Sequence, residues 1–142
     1  MGFQQVLWLD GKERKYVEEI GTSNAFFIID GEVFTAPTDG TILPGITRDS
    51  VIVLLKDWGM TVREEKFTVD EVFAAADNGQ LSEVFASGTA AVISPVGELC
   101  WKDRDITISD NKIGHVSQKL YDTITGIQSG KVPDKFGWTI DL

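Results

Sequence analysis

Apolar residues fall in short runs broken by glycine- and aspartate-bearing turns. Val6-Leu7-Trp8-Leu9 before Asp10-Gly11 reads as a buried strand ending in a turn. Tyr16-Val17-Glu18-Glu19-Ile20 predicts a second strand that stops at Gly21. Ala25-Phe26-Phe27-Ile28-Ile29 is the strongest strand pattern, and Asp30-Gly31 turns it into Glu32-Val33-Phe34-Thr35, a hairpin. Pro37, Asp39-Gly40 and Pro44-Gly45 then mark an irregular stretch. Val51, Ile52, Leu54, Leu55 and Trp58 share one face at helical spacing, which predicts a helix over 47–58 ended by Gly59.

Residues 61–67 read as a further strand. In Thr68-Val69-Asp70-Glu71 the threonine hydroxyl and the Glu71 carboxylate are expected to cap each other's free N–H groups, opening a helix over 69–78 before Gly79. Val84-Phe85-Ala86 and Ala91-Val92-Ile93-Ser94 are strands around Ser87-Gly88-Thr89, and a hairpin through 99–101 and 106–108 follows. Val116, Leu120, Ile124 and Ile127 define a last amphipathic helix closed by Gly130; residues 137–142 add a short strand or stay loose. About seven or eight strands, often adjacent, with three helices predict an α+β fold with a mixed sheet or pseudo-barrel rather than a βαβ repeat.

The 142 residues suit one domain with a sizeable core, and no linker divides them. A content of 42% hydrophobic and 25% charged residues is that of a globular chain. The net charge of −9 argues against non-specific binding to nucleic acid or an anionic membrane. A small anion remains possible, because a few N–H groups hold one locally. The single cysteine, Cys100, forms no intrachain disulfide and gives no metal spacing, so a cytoplasmic protein is expected. Residues 1–9 lack a signal-peptide pattern, and the apolar runs 51–55 and 90–93 are far too short to span a membrane. His115, the only histidine, reads as the start of the last helix rather than a metal ligand. No Gly-x-Ser-x-Gly elbow supports a serine nucleophile, and Trp8, Trp58, Trp101 and Trp138 read as core or rim aromatics.

Three stretches carry candidate chemistry. Leu43-Pro44-Gly45-Ile46-Thr47-Arg48 enters a helix, where unpaired N–H groups and the macrodipole favour an anion. Gly45 admits a ligand to the backbone and Thr47 offers both an N–H and a hydroxyl. The same residues also suit an ordinary helix start with a capping threonine. Ser87-Gly88-Thr89-Ala90-Ala91 is a turn of small residues whose amides at Thr89 and Ala90 suit a carboxylate, with the Thr89 hydroxyl free for a phosphate; a plain glycine turn fits too. Glu18 and Glu19 face opposite sides of a strand. Either both are solvated or one meets a cationic partner within, since a buried carboxylate alone is costly.

The joint order of these blocks is specific. Gln4-Gln5-Val6-Leu7-Trp8-Leu9-Asp10, Glu19-Ile20-Gly21-Thr22-Ser23-Asn24, Gly40-Thr41-Ile42-Leu43-Pro44-Gly45-Ile46-Thr47-Arg48 and Gly88-Thr89-Ala90-Ala91-Val92-Ile93-Ser94-Pro95 resemble successive blocks of the branched-chain amino acid aminotransferases. Ile113-Gly114-His115-Val116-Ser117-Gln118 and Thr125-Gly126-Ile127 extend the resemblance to the C-terminus. It implies a fold-type IV enzyme using pyridoxal 5′-phosphate (PLP), with the large domain of D-amino acid aminotransferase-like enzymes. The activity implied is amino transfer between leucine, isoleucine or valine and 2-oxoglutarate in branched-chain amino acid biosynthesis, and a homo-oligomer is expected. By motif, Glu19 resembles the carboxylate at the pyridine nitrogen; Ile46, Thr47 and Thr89 resemble phosphate ligands; Thr89 and Ala90 resemble the turn that receives the substrate carboxylate. In that family the Schiff-base lysine lies upstream of the Gln4–Leu9 block, as does a small domain. None of the lysines here matches it, so no catalytic residue is assigned, and the chain alone is expected to be inactive with weak or no PLP binding. A second reading makes it a non-catalytic binding or self-association module derived from that enzyme.

Overall fold

The computed structural model describes residues 7–9, 11–21, 23–38, 45–88, 92–102, 104–109, 112–133 and 137. At its centre is β3 (Ser23–Ile29), whose alternation sends Phe26 and Ile28 to one face and Ala25 and Phe27 to the other. β6 (Leu81–Gly88) runs antiparallel along one edge of β3, with Phe26 opposite Phe85 and their rings stacked 5.1 Å apart. The other edge is shared. β2 (Val17–Ile20) pairs with Ser23 and Asn24, while β4 (Glu32–Thr35) pairs with Phe27, Ile28 and Ile29. Between these partners the Ala25 carbonyl accepts from the buried Thr35 hydroxyl at 2.7 Å, so the change of partner leaves it satisfied.

β1 (Leu7–Leu9) extends the sheet beyond β2, and β7 (Val92–Pro95) extends it beyond β6, both antiparallel. β5 (Val62–Glu64) pairs parallel with β4, which requires a crossover, and α1 (Ile46–Asp57) supplies it. The fold is therefore α+β with a mixed sheet holding one βαβ unit. β8 (Glu98–Trp101) and β9 (Arg104–Thr107) form a separate hairpin.

Each sheet face has its own core. α1 and α3 (His115–Ser129) bring Val51, Leu55, Leu120 and Ile124 against Phe26, Ile28 and Phe85. On the other face α2 (Val69–Asp77) and the β8–β9 hairpin bring Val72, Phe73 and Leu99 against Val17, Phe27 and Val84. Burial on both faces explains why 25–29 and 84–86 read as continuous apolar runs. Phe26, Phe27 and Phe85 are fully buried, each contributing about 1.5–3 kcal/mol.

Three expectations change. The strand expected over 61–67 is only Val62–Glu64, because Phe67 leaves it to pack edge-on against Phe27 in the core. Half of the expected capping box forms: the Thr68 hydroxyl accepts from the Glu71 N–H at 3.1 Å, with no reciprocal bond from the Thr68 N–H to the Glu71 carboxylate among the described residues. Backbone pairing with residues 15–17 holds that entrance instead, through Val17 N–H to Phe67 and Val69 N–H to Lys15, both 2.9 Å. α1 starts at Ile46 with Gly45 as its N-cap, so Thr47 lies inside the helix and is not its cap.

Candidate functional site

The three motifs singled out in the sequence meet at one end of the sheet. Asn24, at the start of β3, is paired with Glu19 of β2 on one side and with Ser87 of β6 on the other. A Cβ added to Gly45 would stand 2.6 Å from Asn24 Oδ1, and one added to Gly88 would stand 2.8 Å from Ser23 Oγ. A side chain at either place would have to displace the tip of the Asn24 or Ser23 side chain. The space beside Gly45, expected for a ligand, is filled by the Asn24 side chain.

Around this junction Glu19 is half-buried, as is Glu18, so neither is simply a solvated carboxylate. Ile46 is 85% exposed, which leaves its backbone N–H as its useful group, and Thr47 is half-buried. Thr89 and Ala90 lie outside the described residues; Gly88 at the end of β6 pairs with Val92 at the start of β7. Ser87 is 1% exposed, and its hydroxyl has no hydrogen-bond partner among the described residues. A buried orphan hydroxyl of this kind calls for an explanation, and a ligand is one.

The helix entrances differ in what fills them. At α3, whose N-cap is Gly114, the Glu83 carboxylate accepts from Val116 N–H and Ser117 N–H, both at 2.9 Å, and from Ser117 Oγ at 2.8 Å. At α2 the Thr68 hydroxyl serves. At α1 the Gly45 cap, like Gly114, has no side chain to offer, and Asn24 Oδ1 stands beside it. Its first turn is anchored from behind: buried Arg48 donates from Nη2 to the Ala36 carbonyl at 3.1 Å and to Glu64 Oε1 at 2.9 Å. A helix entrance whose glycine cap has no side chain of its own, with a buried orphan hydroxyl beside it, fits an anionic group that accepts hydrogen bonds.

Asn24, Ser87 and Arg48 stand inside the motifs quoted from the sequence, but sequence reasoning gave none of them a role. The first two are polar residues at the ends of the apolar runs 25–29 and 84–86, and that position was the available signal. His115 begins α3 and is exposed, and no group of His, Cys, Asp or Glu suited to a metal occurs among the described residues. Displaced titrations lie elsewhere: a hydrogen bond from Arg63 holds Glu32 below its ordinary range, and Glu13 raises Lys15. A shallow cleft of about 270 Å³ lies between α2 and the β8–β9 hairpin, on the sheet face opposite α1. Its cations are already engaged, Arg104 with Asp77 and Lys102 over the Trp101 ring, so the junction is the better site.

Residues 1–99 match the family described as Amino-transferase class IV. The chain belongs to that family. It is 57% identical over 141 residues, 99% of its length, to branched-chain-amino-acid aminotransferase 2 of Bacillus subtilis (strain 168), covering 39% of that relative. The Escherichia coli branched-chain amino acid aminotransferase structure superposes over 96% of the chain with a TM-score of 0.80 at 34% identity. A second branched-chain amino acid aminotransferase structure, from T.th. and complexed with N-(5′-phosphopyridoxyl)-L-glutamate, does so over 96% with a TM-score of 0.79 at 33% identity. This class IV chain covers 42% of each of those two structures, so it spans about two-fifths of the length of the proteins it matches. Among the described residues, no helix is long and apolar enough to cross a membrane.

Proposed function

We propose that this chain forms the cofactor-bearing part, the C-terminal large domain, of a branched-chain amino acid aminotransferase. The observation that carries the reading is the convergence of Glu19, Asn24, Gly45 and Ser87-Gly88 at the α1 entrance, whose cap Gly45 has no side chain of its own. Ile46 would hold the PLP phosphate through its N–H, and Thr47 through its N–H and hydroxyl, with Thr89 as a further phosphate ligand. Glu19 would keep a proton on the pyridine nitrogen, while Thr89 and Ala90 would receive the substrate carboxylate. PLP, when bound, supplies the electron sink that amino transfer requires, and the residues here position and tune it. The substrates are leucine, isoleucine or valine with 2-oxoglutarate, and the setting is a cytoplasmic homo-oligomer.

No described lysine is assigned as the cofactor's anchor. Lys15 and Lys66 lie over the Tyr16 ring and Lys119 over Trp58, while Lys12, Lys56, Lys112 and Lys131 are exposed. The test is therefore one of binding. Pyridoxamine phosphate, which forms no adducts with surface lysines, should shift the amides of residues 45–48 and 88–90 and leave the α3 entrance still. Unmoved amides at high ligand concentration in a folded chain would overturn the site assignment.

A further inference from the structure

We propose that Arg48 is a positioning residue: its buried guanidinium ties the first turn of α1 to the ends of β4 and β5, and so sets where Ile46 and Thr47 present their groups to an anion. The proposal rests on the cofactor reading above. Arg48 is 3% exposed, and one nitrogen, Nη2, donates twice, to the Ala36 carbonyl at 3.1 Å and to Glu64 Oε1 at 2.9 Å. Ala36 directly follows β4, and Glu64 ends β5. These strands are parallel, with Thr35 opposite Glu64, so the bridge spans the C-terminal ends of the pair that α1 connects. Ligands of α/β units bind outside such ends, where the connecting helix begins.

The bridge also closes a ring around the entrance. From Ala36 the chain leads back to Thr35, whose hydroxyl donates to the Ala25 carbonyl at 2.7 Å. Ala25 follows Asn24, and Asn24 Oδ1 stands beside Gly45. The first turn is thus flanked by Asn24 at Gly45 and fixed by the guanidinium at Arg48, with Ile46 and Thr47 between them. Ser87, in register with Asn24, keeps its buried hydroxyl without a partner among the described residues. Packing alone asks for no such arginine. A cation in the first turn opposes the dipole of its own helix, and Arg48 Nε is buried without a hydrogen-bond partner among the described residues. A buried ion pair, moreover, commonly gives no more stability than apolar side chains of similar size. Local costs of this kind gather at functional sites. What the arginine supplies is geometry: a planar, rigid group that reaches two strands at fixed angles, which a lysine's freely rotating ammonium does not reproduce. Less ordering of the first turn then remains to be done on binding.

The test titrates the folded wild-type chain, Arg48→Lys and Arg48→Met with pyridoxamine phosphate, with Val72→Ala in the core of the other sheet face as control. Hydrogen exchange of the Asp49 amide, which donates to the Gly45 carbonyl at 3.1 Å, reads the first turn without ligand. Both Arg48 variants should bind about tenfold more weakly and exchange that amide faster. Val72→Ala should lower the melting temperature and leave affinity and that amide unchanged. Full affinity in Arg48→Lys overturns the proposal, since charge without the bridge would then suffice. An equal loss in Val72→Ala overturns it too, since stability alone would then set affinity. Should the Arg48 variants not fold, Glu64→Gln takes their place: it keeps the arginine, weakens one arm of the bridge and should bind several-fold more weakly, and unchanged affinity there overturns the proposal. A wild-type chain that binds no pyridoxamine phosphate defeats the cofactor reading and this proposal together. Wild-type binding matched by Arg48→Lys defeats this proposal alone.

Discussion

The entrances of α1 and α3 begin alike and end differently. Each helix has a glycine N-cap in extended conformation, Gly45 and Gly114, and neither glycine offers a hydroxyl or carboxylate of its own. In both, a side chain from the central sheet takes the room where a Cβ would be: Asn24 beside Gly45 and Glu83 beside Gly114. At α3 the visitor is a carboxylate that accepts three hydrogen bonds from the first turn. At α1 it is a neutral amide, whose Oδ1 stands beside Gly45. The same backbone device therefore serves structure at one end of the molecule, where the chain supplies its own anion, and fits a ligand at the other. The sign of one side chain in a strand, and nothing in the helix, makes the difference.

Breaking the α3 entrance should have the largest effect. Glu83→Ala removes a 6%-exposed carboxylate and leaves two backbone N–H groups and a buried hydroxyl without their acceptor. Hydrogen bonds to a charged group are the strong ones, and orphaned donors cost more than a replaced pair, so a loss of about 3 kcal/mol is expected in urea unfolding. Pyridoxamine phosphate affinity of the remaining folded protein should be unchanged, because α1 does not share this carboxylate. A loss under about 1 kcal/mol would mean that water caps α3 equally well, and the contrast between the entrances would lose its force.

Much of this architecture is legible in the chain itself. The runs 25–29 and 84–86, the Asp30-Gly31 turn, the last helix and its Gly130 stop all depend on local periodicity and turn chemistry, which a sequence displays directly. The parallel partner of β4 does not show, because pairing across a 12-residue helix leaves no local trace. Glu83 looks like a surface residue of a strand, and only packing against Gly114 reveals it as a helix cap. Glu19, Ile46 and Thr47 are named by motif, and the structure sets them around one junction. Their neighbours Asn24 and Ser87 stand in the same motifs without a role, since burial of a polar residue depends on what lies across the sheet.

Asn24→Asp would make the α1 entrance resemble that of α3. A carboxylate would then stand beside Gly45, near the N-terminal end of the dipole. Its interaction with that end offsets part of the cost of burying a charge, so stability should change by about 1 kcal/mol or less. Binding should suffer more: like charges a few ångströms apart repel by several kcal/mol even at an effective dielectric constant of about 20, and an affinity loss of roughly tenfold or more follows. Calorimetric titration of wild type and variant with pyridoxamine phosphate measures it. Undiminished affinity would place the anion somewhere other than this entrance.

Thr47→Val should have the smallest effect on stability, and for that reason it separates the two readings of this helix start most finely. Were Thr47 the cap, losing its hydroxyl would cost about 1 kcal/mol. The cap is Gly45, however, and Thr47 is the second helical residue, with no side-chain bond at the entrance to lose. Valine has nearly the same shape and helix propensity, so thermal unfolding should register a change within about 0.5 kcal/mol. The hydroxyl acts only when an anion is present, and a hydrogen bond to a charged acceptor is worth about 1.5 kcal/mol or more, so affinity for pyridoxamine phosphate should fall roughly tenfold. The reverse pattern, lower stability with binding intact, would return Thr47 to an ordinary capping role. Near-unchanged stability with weakened binding is the signature of a group kept for its ligand rather than for its fold.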